Sequence, residues 1–135
     1  MSRTKSREEA MIILFEKSFK HDQDIKDIMD NHIDSLIKKS ISFDLEYIKK
    51  LTLGTYEKLE EIDKIIESSL TNWKMERISK VCISILRITF YEILYMDDIP
   101  TKVSIDEAVE FAKKYEDEKS GIFVNGVIGA FINKE

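Results

Sequence analysis

At 135 residues, 43% apolar and 35% charged, the chain suits one packed domain and is short for an enzyme with separate cofactor and substrate domains. One proline and four glycines argue against an all-β fold, and the apolar content argues against disorder. The net charge of −5 gives no overall attraction to nucleic acid, so any such role needs a local basic patch.

The N-terminus offers one: Arg3, Lys5 and Arg7 precede the first acid, Glu8. The same stretch, MSRTKSREEA, is too polar for a signal peptide. Ser6 with Glu9 three residues on has the spacing of a capping box, which predicts a first helix opening at Ser6 and carrying Ala10, Met11, Leu14, Ser18 and Phe19. Asp22 is the expected N-cap of a second helix, whose stripe of Ile25, Ile28, Met29, His32, Ile33, Leu36 and Ile37 runs to about Lys39. From residue 43 to residue 70 the helical pattern (Leu45, Ile48, Leu51, Thr55, Leu59, Ile62, Ile66) is long for one helix and predicts a bend within residues 60–63.

Residues 71–74, TNWK, interrupt the pattern and divide a single domain, 1–135, into helical subdomains of about 1–72 and 73–135. Residues 78–95 are apolar on nearly every face, as expected of a helix surrounded by others. Pro100 in DDIP ends that element. Ser104 and Glu107 have capping-box spacing and are expected to open a helix with Ala108, Val109, Phe111, Ala112 and Tyr115. KKYEDEKSG reads as a turn, and a last helix carries Phe123, Val124, Val127, Ile128 and Phe131. There is no strand pattern, solenoid repeat or low-complexity tract, so the predicted fold is all-α, a compact helical domain with about three helices on each side of residues 71–74.

No apolar run approaches the roughly 18 to 20 residues that span a bilayer, so no membrane role is expected. A single cysteine rules out a disulfide framework and fits a reducing compartment, so the expected location is cytoplasmic.

Catalytic chemistry has little support. There is no glycine-rich phosphate loop and no serine in a nucleophile elbow. His21 and His32 have no second ligand pattern; His32, on an apolar face, reads as a core or boundary histidine ahead of a metal ligand. Cys82 reads as a small core hydrophobe, with a distant partner in the fold left open. Glu60 with Glu61 and Asp97 with Asp98 sit on polar flanks without the burial or neighbour that splits carboxylate pKa values. No catalytic set, cofactor or metal is expected.

Arg87, the one charge between Val81 and Tyr91, is expected to pair with an acid such as Glu92 or Glu107 rather than to act functionally. Gly121 is expected in a turn where positive φ is needed. Gly126 and Gly129 are expected to admit a neighbouring backbone, with direct ligand contact as the alternative.

The ordered combination of Trp73, RISKVCISILRITFYEIL (77–94), DIPTKVSIDEAVEFAKKY (98–115) and FVNGVIG (123–129), together with SREEAMIILFE near the start, closely resembles the NusB family of bacterial transcription antitermination factors. The resemblance spans most of the chain. It implies two packed three-helix subdomains and a non-enzymatic role in which the protein pairs with NusE, a small-subunit ribosomal protein, to bind boxA RNA in rRNA leader transcripts. That pair would join NusA, NusG and RNA polymerase in a complex that supports rRNA transcription and ribosome biogenesis.

Carried over by residue, the resemblance places the family's arginine-rich N-terminus at Arg3, Lys5 and Arg7. Phe15 stands where relatives often have tyrosine near the RNA, and the segment before FVNGV nominates Lys119, Ser120 and Phe123. Glu76, Lys80 and Cys82 are the candidate contacts to NusE. Cys82 and Ile83 replace an acidic and then a basic residue, and Gly129 stands where aspartate is common. The expected mechanism is a positive strip of Arg3, Lys5, Arg7 and Lys119 on phosphates, with bases read by stacking and edge contacts. The alternatives are a relative of the NusB-like region of rRNA cytosine methyltransferases without its catalytic extension, or a helical adaptor or homodimer with weak or no boxA binding. A small hydrolase has no assembled site in its favour.

Overall fold

A helix opens most readily where a side chain satisfies one of its bare N–H groups. In the computed structural model, which describes residues 3–134, Asp24 Oδ1 accepts from Lys26 N at 3.0 Å, Asp44 Oδ1 from Tyr47 N at 3.2 Å, Ser79 Oγ from Cys82 N at 3.1 Å and Asp117 Oδ1 from Ser120 N at 2.8 Å. Among the described residues there are seven α-helices, one short 3-10 turn and no strand. The fold is all-α, as expected.

The first compact unit, residues 3–57, packs α1 (Arg3–Lys17), α2 (Ile25–Lys38) and α3 (Leu45–Glu57) against one another. Its core includes Met11, Ile13, Ile28, Ile48 and Leu51, all fully buried. Two expected caps are displaced. Ser6 lies inside α1, where its Oγ accepts from Asp44 N at 2.8 Å and so ties α1 to the start of α3. Asp24, not Asp22, caps α2, because its side chain is the one that reaches a free N–H of the first turn. At the other end Ser40 takes a left-handed φ of 57°, and Ile41 N donates to Leu36 O at 3.0 Å, closing α2 on its last carbonyls.

The second unit, residues 58–134, contains α4 (Leu59–Ser69), the 3-10 turn (Met75–Arg77), α5 (Lys80–Tyr95), α6 (Thr101–Tyr115) and α7 (Glu118–Lys134). The expected bend appears as a break at Lys58, between α3 and α4. The packing units therefore change at 57/58 rather than at 72/73, and four helices precede residues 71–74 where three were expected. The physical reason is that α4 packs on α5 and α7 with Ile62 and Ile66 fully buried. Asp63 on α4 also receives Arg87 from α5 through two hydrogen bonds, Nε to Oδ1 and Nη2 to Oδ2, each 2.9 Å. Arg87 makes a structural pair as expected, but with Asp63 in place of Glu92 or Glu107.

Helix α5 is buried through Ile85, Leu86, Ile88 and Phe90, and Phe90 meets the edge of Phe131 from α7. Pro100, with φ −61°, precedes α6, so the helix starts at Thr101 and Ser104 falls inside it. Ser104 is buried there and donates to Glu92 Oε1 at 2.7 Å instead of capping. Only Glu116 and Asp117 separate α6 from α7, so the expected nine-residue turn contracts and Lys119, Ser120 and Gly121 occupy the first turn of α7.

Gly121 has no positive φ; it is small because an added Cβ would lie 2.9 Å from Lys113 Cγ on α6. Gly126 and Gly129 differ from the expectation of close packing, since a Cβ at either would meet nothing within 4 Å. Among the described residues no helix is long and apolar enough to cross a membrane.

Candidate nucleic-acid interface

Helical spacing puts Arg3 and Arg7 on one face of α1, four residues apart. Both guanidinium groups lie over the ring of Tyr47 from α3, at 4.7 Å and 5.6 Å from its centroid, a geometry of cation–π attraction. They differ in access: Arg3 is exposed, whereas Arg7 is only 3% exposed. Arg7 therefore does not present its charge to solvent as the expected strip requires; its position fits packing of α1 on α3.

Lys5 is also engaged within the fold. Its Nζ lies 2.8 Å from Glu9 Oε2 and 3.5 Å from Glu8 Oε1. Glu9 is buried, and its other oxygen meets His32 Nε2 at 2.5 Å. Burial pushes the Glu9 carboxyl up, but the hydrogen bonds and charges of His32 and Lys5 outweigh it and hold the group below its ordinary value. The hydrogen bond to Glu9 raises Lys5 in turn. His32 is thus a boundary histidine bonded to a carboxylate, and among the described residues no group of three His, Cys, Asp or Glu side chains is placed to hold a metal. Phe15 is half-buried and meets the exposed Phe19 edge-on, ring centroids 4.9 Å apart.

The remaining candidates lie in the second unit. Lys119 is exposed, and Phe123, one helical turn further along α7, is half-buried. Trp73 meets Phe123 edge-on, with centroids 6.4 Å apart and planes at 76°. Ser120 is half-buried and its N–H is held by Asp117. That backbone hydrogen bond keeps the exposed Asp117 carboxyl below its ordinary value.

Glu76, in the 3-10 turn, and Lys80, the first residue of α5, are both exposed. Cys82 is not: at 4% exposure its side chain belongs to the core, which corrects its candidacy as a NusE contact. Burial pushes its thiol up, opposed by hydrogen bonds involving Ser79 and Ser120. Cys82 and Ser120 are therefore neighbours, joining the starts of α5 and α7.

Two residues of these surroundings were not sequence candidates as site residues. Tyr47 has no local signal, since its partners lie on a different helix. Trp73 was legible as an isolated aromatic within a polar break, TNWK, the kind of position that core packing does not explain.

The chain matches the NusB family model over residues 4–133. It is 46% identical over 132 residues to the transcription antitermination protein NusB of Clostridium novyi (strain NT), covering 98% of each chain. It is 49% identical over 129 residues to the protein of the same name from Ruminiclostridium cellulolyticum, covering 95% of this chain and 86% of the other. Among solved structures, NusB of T. maritima superposes with a TM-score of 0.87 at 33% identity, over 100% of this chain and 93% of that one. A chain from the crystal structure of antitermination factors NusB and NusE in complex with dsRNA gives a TM-score of 0.84 at 28% identity, with 100% of both chains covered. The family model and the full-length relatives agree with the helix order and its motifs: the chain belongs to the NusB family.

Proposed function

We propose that this protein is a transcription antitermination factor that pairs with NusE and binds boxA RNA in rRNA leader transcripts. In this role it supports processive rRNA transcription and ribosome biogenesis, together with NusA, NusG and RNA polymerase. The observation that carries the reading is the full-length similarity to a chain solved with NusE and RNA.

The residues fit a division of labour. Arg3 and Lys119 are exposed cations suited to phosphates, and Phe15 and Phe123 are partly exposed rings suited to unpaired bases. Ser120 flanks that second ring, and Glu76 with Lys80 offers one charge of each sign to NusE. A chain of net charge −5 with few exposed cations at its site binds RNA weakly alone, so NusE supplies the missing positive surface. Reconstituted transcription through a terminator tests this. Added protein with NusE should raise read-through on templates carrying boxA, and equal read-through with and without boxA would overturn the reading.

A further inference from the structure

Residues 70–74 join α4 to the 3-10 turn, and Trp73 stands 56% exposed within them. A tryptophan with a purely structural role buries most of its ring and gives its N–H an acceptor. Trp73 does neither among the described residues. Its aromatic contact is Phe123, and with the two ring planes at 76° Phe123 covers at most one face of the indole.

Cations adjoin this pair in the sequence. Lys74 follows Trp73 directly and is exposed, and Lys119 lies one turn before Phe123 on α7. Residues 73–80, WKMERISK, place Lys74, Arg77 and Lys80 against the single acid Glu76 in an otherwise acidic chain. Two of the acids before Lys119 are engaged: Asp117 holds Ser120 N at 2.8 Å, and Glu118 lies 4.0 Å from Lys113. An exposed aromatic ring with exposed lysines next to it in the sequence matches the chemistry of single-stranded nucleic acid, in which a base stacks and the adjoining phosphates meet cations.

We propose that Trp73 carries an unpaired base of the bound RNA on the face that Phe123 leaves uncovered, with Phe123 packed against the indole and Lys74 meeting an adjoining phosphate. This extends the RNA site beyond the residues that the family resemblance nominates, and it rests on the RNA-binding reading above.

Trp73 is the one tryptophan of the chain, so its fluorescence reports on the site directly. The complex with NusE is titrated with single-stranded boxA RNA, and the complex carrying Trp73→Phe serves as the blank for NusE emission. Saturable quenching of Trp73 is expected. Trp73→Ala should weaken RNA binding roughly five-fold to a hundred-fold, the range of one lost base–aromatic stack, while Trp73→Phe keeps affinity within about three-fold. Affinity for NusE should be unchanged in both.

If the wild-type complex binds boxA and Trp73→Ala binds it equally well, or Trp73 emission does not move, the proposal falls and the RNA-binding reading stands. Loss of NusE affinity in Trp73→Ala, with RNA affinity intact, would likewise overturn it and assign the ring pair to a protein contact. If the wild-type complex does not bind boxA, both fall. Should Trp73→Ala lose its helical circular dichroism, the quench and the Trp73→Phe affinity decide.

Discussion

Lys5 Nζ lies 2.8 Å from Glu9 Oε2, and His32 Nε2 holds the other oxygen of the same carboxylate at 2.5 Å. The basic N-terminus is therefore divided by function. Lys5 balances a buried carboxylate, Arg7 packs over Tyr47 from inside the fold, and Arg3 over the same ring remains open to solvent.

This division has a consequence for salt dependence. Each phosphate contact on a single strand contributes about 0.7 to the slope of log affinity against log salt. Arg3→Ala should weaken RNA binding by the complex and flatten that slope by about this amount. Lys5→Ala should leave the slope nearly unchanged and instead cost about 1 kcal/mol of folding stability, as expected of a partly exposed ion pair. Fluorescence anisotropy across a salt series and urea denaturation separate the two effects.

The pH response of Glu9 has a defined sign. Its carboxyl is held below 4.5 in the fold, so the stabilisation it gives is present above that value and is lost as pH falls through the lower, folded pKa. The stability difference between the wild type and Glu9→Gln, taken from urea midpoints, should shrink as pH falls below 4.5. A difference that stays constant through acid would show that the charge on Glu9 contributes nothing.

Much of the fold was legible because helical periodicity and caps are local. The stripe of α2 and the all-round burial of α5 were readable from spacing alone, whereas α5 ends at Tyr95, ahead of DDIP, and Pro100 precedes α6. Errors arose where a polar residue had two possible uses. Ser6 and Ser104 have capping spacing, yet each bonds to a distant segment, Ser6 to Asp44 and Ser104 to Glu92, and spacing cannot see such partners. The site was less legible for the same reason: the exposure of Arg3 against the burial of Arg7 depends on Tyr47, and the neighbourhood of Trp73 depends on Phe123. The family resemblance nominated Lys119 and Phe123, but it also nominated Cys82, whose side chain faces the core.

Ser104 offers a clean contrast between cap and core. Its hydroxyl donates to the buried Glu92 carboxylate at 2.7 Å, so Ser104→Ala removes one donor from that group. The expected cost is about 1–3 kcal/mol, the range for a buried polar group losing a partner. Thermal or urea unfolding measures it, and a change below a few tenths of a kcal/mol would deny the hydrogen bond a stabilising role.

Gly126 and Gly129 carry the opposite expectation. Because a Cβ meets nothing within 4 Å at either position, Gly126→Ala and Gly129→Ala should each stabilise α7 by about 0.5–1 kcal/mol, the difference in helix propensity. Urea midpoints of the isolated protein check this. Destabilisation in either variant would contradict the open surroundings of α7.

The most direct measurement is the affinity of labelled boxA RNA, against a scrambled control, for this protein with and without NusE as salt is raised. NusE should sharply raise affinity for boxA over the control, and that affinity should fall steadily with salt. Equal affinity for both RNAs with NusE present, or a flat salt response, would contradict boxA binding through phosphate contacts.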